Sequence, residues 1–172
     1  MKKRKVILNL CTTLDSFIEG ANGEIDWCFT DQDYGMTNFL NRIDTIFFGR
    51  KSYEQLLEMA PDAFAEKTRI VFSNTLKNSE KGPKIVSGNI EEEVNKILLA
   101  EGKDIWLFGG ASLTTAMIKL NLVDELMIAV HPLILGSGKP LFQKTDIRKE
   151  LKLTDTKTYS TGLVQLFYEI QK

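Results

Sequence analysis

The chain has 172 residues, of which 43% are hydrophobic and 26% charged. That balance excludes disordered and collagen-like chains. A chain of this length buries about 70% of the surface its unfolded form exposes, so its core needs no disulfide or metal. Lys and Arg total 22 against 23 Asp and Glu, a formal net charge of −1. So small a charge supplies no global field for nucleic acid and disfavours a dedicated DNA or RNA binder.

The two cysteines are Cys11 and Cys28, and the one histidine is His131. Three residues so scattered make no metal set of ordinary zinc spacing, and two cysteines make no disulfide framework. Cys11 sits in an apolar run and is expected as a buried free thiol. The basic N-terminus followed by residues 6–10 resembles the start of a signal peptide. The apolar run breaks at Asn9, however, and no small-residue cleavage site follows. No stretch approaches the ~20 apolar residues of a membrane span. The reading is a cytoplasmic protein that does not enter a membrane, with one domain over residues 1–172.

Residues 5–13 form an apolar run that predicts a buried strand. Residues 15–27 read as loop, with Gly20, Asn22-Gly23 and Asp26 as turn signals. Helical spacing of Tyr34, Phe39 and Leu40 predicts a helix over 31–41. A strand at 45–48 then ends at Gly49, and a helix over 50–59 stops before Pro61. Strands at 69–72 and 84–86 flank a polar surface loop at 77–88. Asn89 is a helix cap, and Glu91, Glu92 and Glu93 complement the positive end of the helix it starts. A strand at 104–108 runs into Gly109-Gly110, a helix covers 112–120, and a strand covers 125–130. Alternating residues at 151–159 and 163–170, joined by Gly162, predict a β-hairpin. The alternation of strand and helix predicts an α/β fold in three layers. A mostly parallel central sheet carries helices on both faces, and a C-terminal antiparallel hairpin closes it.

Three strand ends carry groups that suit a phosphate. Ile105 to Leu113 runs from an apolar strand through two glycines into a helix start. Glycine lets a backbone approach a ligand, and a helix start offers unpaired N–H groups and a positive dipole end. A tight strand–helix turn is the alternative, because the dinucleotide fingerprint lacks its third glycine and following acid. Phe47-Phe48-Gly49-Arg50-Lys51-Ser52 has the same form with two cations, which suit a 2′-phosphate or are simply solvated. Phe72-Ser73-Asn74-Thr75 puts small polar groups just after a strand. Parallel strands bring their C-terminal ends to one edge, where open α/β sheets bind ligands.

The whole chain resembles the dihydrofolate reductase-like superfamily. It is similar above all to the branch that includes the reductase domain of bacterial riboflavin biosynthesis. The resemblance runs through Thr13 to Ile18, Gly23 to Trp27, Asp44 to Tyr53, Val71 to Leu76 and Ile105 to Leu113. It ends in Leu122-Val123-Asp124-Glu125-Leu126 and Pro132 to Gly138, the most diagnostic blocks.

The resemblance implies an NADPH-dependent reductase. Gly49, Arg50, Lys51 and Ser52 would meet the cofactor's phosphates, and Ser73 and Asn74 would lie near the adenosine 2′-phosphate. Gly109, Gly110, Ala111, Ser112 and Leu113 would surround the pyrophosphate, with a cis peptide at Gly109-Gly110. Leu10, Cys11 and Ile18 would hold the nicotinamide. A homodimer is also implied.

The substrate side is marked less sharply. Asp31 and Asp33 are candidates for proton donor or substrate anchor, and a helix cap or first-turn charge is the alternative. Asp15, Trp27 and His131 are candidate substrate contacts. Each has a structural alternative: an Asx turn, packing beside a turn, and a core histidine. Two functions are carried forward. One is an NADPH-dependent reductase acting on a small pterin- or pyrimidine-type heterocycle. The other is a nucleotide-binding module of the same fold without catalysis.

Overall fold

The computed structural model describes residues 3–78, 82–143 and 146–172. The start of the basic N-terminus and the middle of the 77–88 loop lie outside the described residues. The elements in chain order are β1 (Val6–Thr13), β2 (Phe17–Glu19), α1 (Met36–Arg42), β3 (Ile43–Gly49), α2 (Arg50–Met59), β4 (Thr68–Phe72) and β5 (Lys84–Val86). They continue with α3 (Ile90–Leu99), β6 (Asp104–Gly109), α4 (Ala111–Lys119), β7 (Glu125–His131), β8 (Lys139–Pro140), β9 (Leu151–Thr158) and β10 (Val164–Ile170).

Eight strands form one sheet in the order β5-β4-β3-β6-β1-β7-β10-β9. Strands β5 to β7 in that order run parallel, and β10 and β9 add antiparallel at one edge. The expected fold class is the observed one. Strand side chains alternate between faces, and here both faces are covered, which is why the strands read as continuous apolar runs. Val6 and Leu8 of β1, Ile105 and Leu107 of β6, and Leu126 of β7 pack against Val94 and Leu98 of α3 and Met117 of α4. On the other face Ile7, Ile46, Phe48 and Trp106 pack with Phe39 of α1 and Tyr53 of α2. Each such burial contributes about 1.5–3 kcal/mol.

Two expectations about the 15–41 segment are corrected. The first helix begins at Met36 rather than at residue 31. Tyr34 and Gly35 adopt left-handed backbone, with φ of 48° and 80°, which interrupts helical continuity before Met36. The loop at 15–27 contains a strand, β2, that pairs with β8. Its partner lies some 120 residues further on, beyond the reach of local patterning.

At the N-terminal edge of the parallel strands, charges are paired. Arg4, almost fully buried, donates to Asp44, to Thr45 Oγ1 (2.7 Å) and to the Lys103 carbonyl (2.6 Å). Arg42 reaches Asp104 at 2.7 Å and Glu125 at 2.8 Å, and Lys5 reaches Glu125 at 2.6 Å. Asp104 and Asp124 also accept the backbone N–H groups of Lys5 and Val6.

Candidate functional site

The opposite edge is built differently. β5, β4, β3 and β6 lie side by side, and their C-terminal ends open into one cleft of about 540 Å³. From β3 and α2 come Gly49, Arg50, Lys51 and Ser52. The end of β4 contributes Ser73 and Asn74, and the start of α4 contributes Gly110, Ala111, Ser112 and Leu113. Three segments far apart in sequence thus line one cavity.

Two of the helices that start at this cleft have no side-chain cap among the described residues. Gly49 precedes α2 and Gly110 precedes α4, and neither N-terminus receives a side-chain hydrogen bond. Contrast α3, whose Asn89 Oδ1 accepts the Glu92 N–H at 3.3 Å. The first-turn N–H groups of α2 and α4 therefore remain available to an anion, helped by the helix dipole. Glycine is used here for close approach. A Cβ on Gly110 would lie 3.0 Å from Ser52 Oγ, and one on Gly49 would lie 3.4 Å from the Gly109 carbonyl. The Gly109-Gly110 peptide bond is cis. Thr114, fully buried on α4 beside that turn, has a hydroxyl with no partner among the described residues.

The polar side chains of the cleft divide into committed and free. Arg50 donates Nη1 to both Glu54 oxygens at 3.0 Å across one helical turn, and Lys51 beside it is exposed. Ser73 Oγ accepts the N–H groups of Thr75 and Leu76, and Asn74 Oδ1 accepts that of Gly88 at 3.2 Å. These bonds shape the turn after β4. Ser112 Oγ accepts from Gln143 Nε2 at 2.8 Å. Lys139, ion-paired with Glu19, lines the rim.

Sequence reading missed Lys139, Gln143 and the start of α3 as wall residues. Gly88 and Ile90 were legible as a helix start after a strand. Lys139 and Gln143 carry no local signal, because they reach the cleft from a segment whose strand pairs with β2. Leu10, Cys11, Ile18 and Gly109 are not in the lining of this cavity. Leu10, on β1 next to β6, and Ile18, on β2 of the small second sheet, instead pack against the main core.

The residues expected at the substrate side have these positions. Asp15 is a hub. Its carboxylate accepts from Thr13 Oγ1 (2.6 Å) and from the N–H groups of Leu135 (3.1 Å) and Gly136 (2.8 Å). The Thr13 hydroxyl and these amides hold it down at about 2. It ties the end of β1 to the loop after β7. His131 is 1% exposed. Its Nε2 accepts the Phe29 N–H at 3.1 Å, and its Nδ1 faces the Ala129 carbonyl at 3.2 Å. Burial pushes the imidazole below its ordinary value, so it stays neutral.

Trp27 packs edge-on against His131 with ring centroids 5.3 Å apart, and its buried Nε1 has no acceptor among the described residues. Asp31 and Asp33 are exposed. Asp31 accepts from the Tyr34 hydroxyl at 2.7 Å, and Asp33 accepts from both the hydroxyl and the N–H of Thr37. Those two bonds from Thr37 lower Asp33 from its ordinary value.

The fold gathers three donors that lie far apart in the sequence. Cys11, Cys28 and His131, too scattered in sequence to make a ligand set, are brought together. One donor atom from each lies within 4.8 Å of the others. Both cysteines are free and half-buried rather than buried.

A parallel sheet whose strand ends carry an open, glycine-lined cleft, closed at one edge by an antiparallel hairpin, defines a dihydrofolate reductase-like fold. Residues 4–165 match the RibD C-terminal domain, and the chain belongs to that family. It is 47% identical to the uncharacterized protein YyaP of Bacillus subtilis, over 98% of this chain and 96% of that one. A putative riboflavin biosynthesis protein from Shewanella superposes with a TM-score of 0.88 at 22% identity, covering 98% of this chain and 99% of that one. Dihydrofolate reductase from Enterococcus faecalis, complexed with NADP(H), superposes with a TM-score of 0.67 at 16% identity, covering 98% and 97%. These two structures share the fold. Among the described residues no helix is long and apolar enough to cross a membrane.

Proposed function

We propose that this chain is an NADPH-dependent reductase that transfers hydride to a small pterin- or pyrimidine-type heterocycle. The observation that carries the reading is the cleft into which two uncapped helix N-termini open, with Arg50 and Lys51 on the first turn of one of them. That donor set suits a dinucleotide's phosphates.

NADPH supplies the hydride when bound. The first-turn N–H groups of α2 and α4 bind its phosphates. Lys51 and Arg50, with Ser73 and Asn74 across the cleft, select the 2′-phosphorylated form. Leu10, Cys11 and Ile18 orient the nicotinamide. Asp15 holds the loop after β7 against the end of β1. Trp27 Nε1 is a buried donor for a heterocycle's acceptor, and His131 holds the Trp27 ring in place. Asp33, kept ionised by Thr37, is a substrate anchor, and Asp31 is the candidate donor of the proton. Catalysis is then mainly positioning of two rings.

Titration with NADPH and NADH tests the reading. NADPH is expected to bind in the micromolar range and NADH about tenfold (~1.4 kcal/mol) more weakly. Binding of neither overturns it. The nucleotide-binding module without catalysis is favoured by one observation: Asp31 and Asp33 already spend their carboxylates on Tyr34 and Thr37. Absence of NADPH oxidation across pterins and pyrimidinediones, with NADPH binding intact, selects that reading. The proposed homodimer would use β9, an exposed edge strand carrying Leu151 and Leu153. Light scattering of the purified chain decides it.

A further inference from the structure

Every cysteine and histidine of this chain meets at one place. Cys11 lies on β1 opposite Ala129 of β7. Cys28 closes a turn, its N–H donating to the Ile25 carbonyl at 3.0 Å. His131 ends β7. Both ring nitrogens of His131 are already engaged, one by the Phe29 N–H and one by the Ala129 carbonyl. That leaves the imidazole no free lone pair for an ion. Its role is a pin: it holds Phe29, and so the adjacent Cys28, against the end of β1. The result is two half-buried free thiols within 4.8 Å of each other, on segments 17 positions apart in the sequence.

We propose that Cys11 and Cys28 are a peroxide-reactive dithiol that closes to an intramolecular disulfide. The Cys11 thiolate attacks one oxygen of a hydroperoxide. The O–O bond breaks, the sulfur is oxidised to sulfenic acid, and the peroxide is reduced to an alcohol, or to water when it is hydrogen peroxide. The Cys28 sulfur then attacks the Cys11 sulfur. The S–S bond forms, and the hydroxyl leaves as water with the Cys28 proton. Two thiols and one hydroperoxide thus give one disulfide, one alcohol and one water.

The roles of the two sulfurs follow from their contact. The nearness of the two sulfurs lowers the Cys11 thiol from its ordinary value, against an opposing push from burial, and with burial raises the Cys28 thiol. We assign Cys11 as the attacking thiolate and Cys28 as the resolving thiol, an assignment the single-cysteine variants test. The bond would tie the segment carrying Trp27 to β1. None of this rests on the reductase reading.

The test treats the reduced full chain with hydrogen peroxide and reads intact mass and free thiols. The expected result is loss of the mass of two hydrogens, loss of both thiols, and recovery of both with dithiothreitol. In Cys28→Ser, dimedone traps a sulfenic acid at Cys11. In Cys11→Ser, Cys28 reacts at least ~10-fold more slowly than Cys11 does. The proposal is overturned if wild-type thiols persist, if they pass to sulfinic acids without a disulfide, or if the bond joins two chains. Equal reactivity of Cys28 without Cys11 also overturns it. So does a cadmium–thiolate band that fades in His131→Gln as it does in either serine variant, since the cluster is then a metal site.

Discussion

The two edges of the parallel sheet answer opposite demands. At the N-terminal edge, Arg4, Lys5 and Arg42 meet Asp44, Asp104 and Glu125, and the acids also collect backbone N–H groups. At the C-terminal edge, helices α2 and α4 start without a side-chain cap among the described residues, and Lys51 stands exposed. A paired, desolvated charge stabilises only while its partner stays, so the first edge resists change. Unsatisfied donors cost stability until a ligand engages them, so the second edge is suited to binding. Under the proposed function, stability and ligand affinity fall to separate ends of the same strands.

Substitutions at each edge should separate the two properties. Arg4→Met takes the buried guanidinium from Asp44, Thr45 and the Lys103 carbonyl, while Asp44 keeps the Lys103 N–H and the Thr45 hydroxyl, and should cost about 2 kcal/mol in urea unfolding. NADPH affinity should be unchanged within about twofold (~0.4 kcal/mol). A large loss of affinity from this variant would break the division. Acid probes the same edge. Burial pushes Glu125 up, but bonds from Arg42 and Lys5 outweigh it and leave its carboxyl below 4.5. Its contribution is therefore full above pH 4.5, the unfolded value, and is lost as pH falls through the lower folded value. Glu125→Gln should flatten that part of the stability–pH curve, measured by unfolding at successive pH values.

Gly110→Ala tests the other edge. Its backbone, at φ −82°, is open to alanine, so the cost in stability should be small. The added methyl lies 3.0 Å from Ser52 Oγ, over the helix starts. NADPH affinity by calorimetry should fall about tenfold (~1.4 kcal/mol). Asn89→Ala removes the one side-chain cap near the cleft and should cost ~1 kcal/mol in unfolding with binding retained. The smallest effect is expected for Lys96→Ala, whose pairs with Glu92 and Glu93 are on the solvated face of α3. It should change stability by less than ~0.5 kcal/mol in the same assay. A larger value would mean that α3 needs more than its cap and apolar stripe.

Most elements were legible because their signals are local. The helix start after Gly49, the Asn89 cap and the alternating tail each occupy a few adjacent residues. The residues that share the cleft at 49–52 and 110–113 were legible for the same reason: strand, glycine and helix start follow one another. The β2–β8 pair was not, because Phe17 and Pro140 are no neighbours in sequence. The late start of α1 was hidden as well, since the periodicity of Tyr34, Phe39 and Leu40 continues through a left-handed residue that breaks the helix.

The amino-acid sequence by itself determined the fold class and the glycine-marked turns, because hydrophobic period and turn chemistry are written over short windows. Only the tertiary structure decided which strand ends share a cleft and that Asp15 grips the loop after β7. Only it decided that Cys11, Cys28 and His131 meet. Those contacts join residues roughly 20 to 120 positions apart, and their energies depend on a strand order that no local pattern encodes.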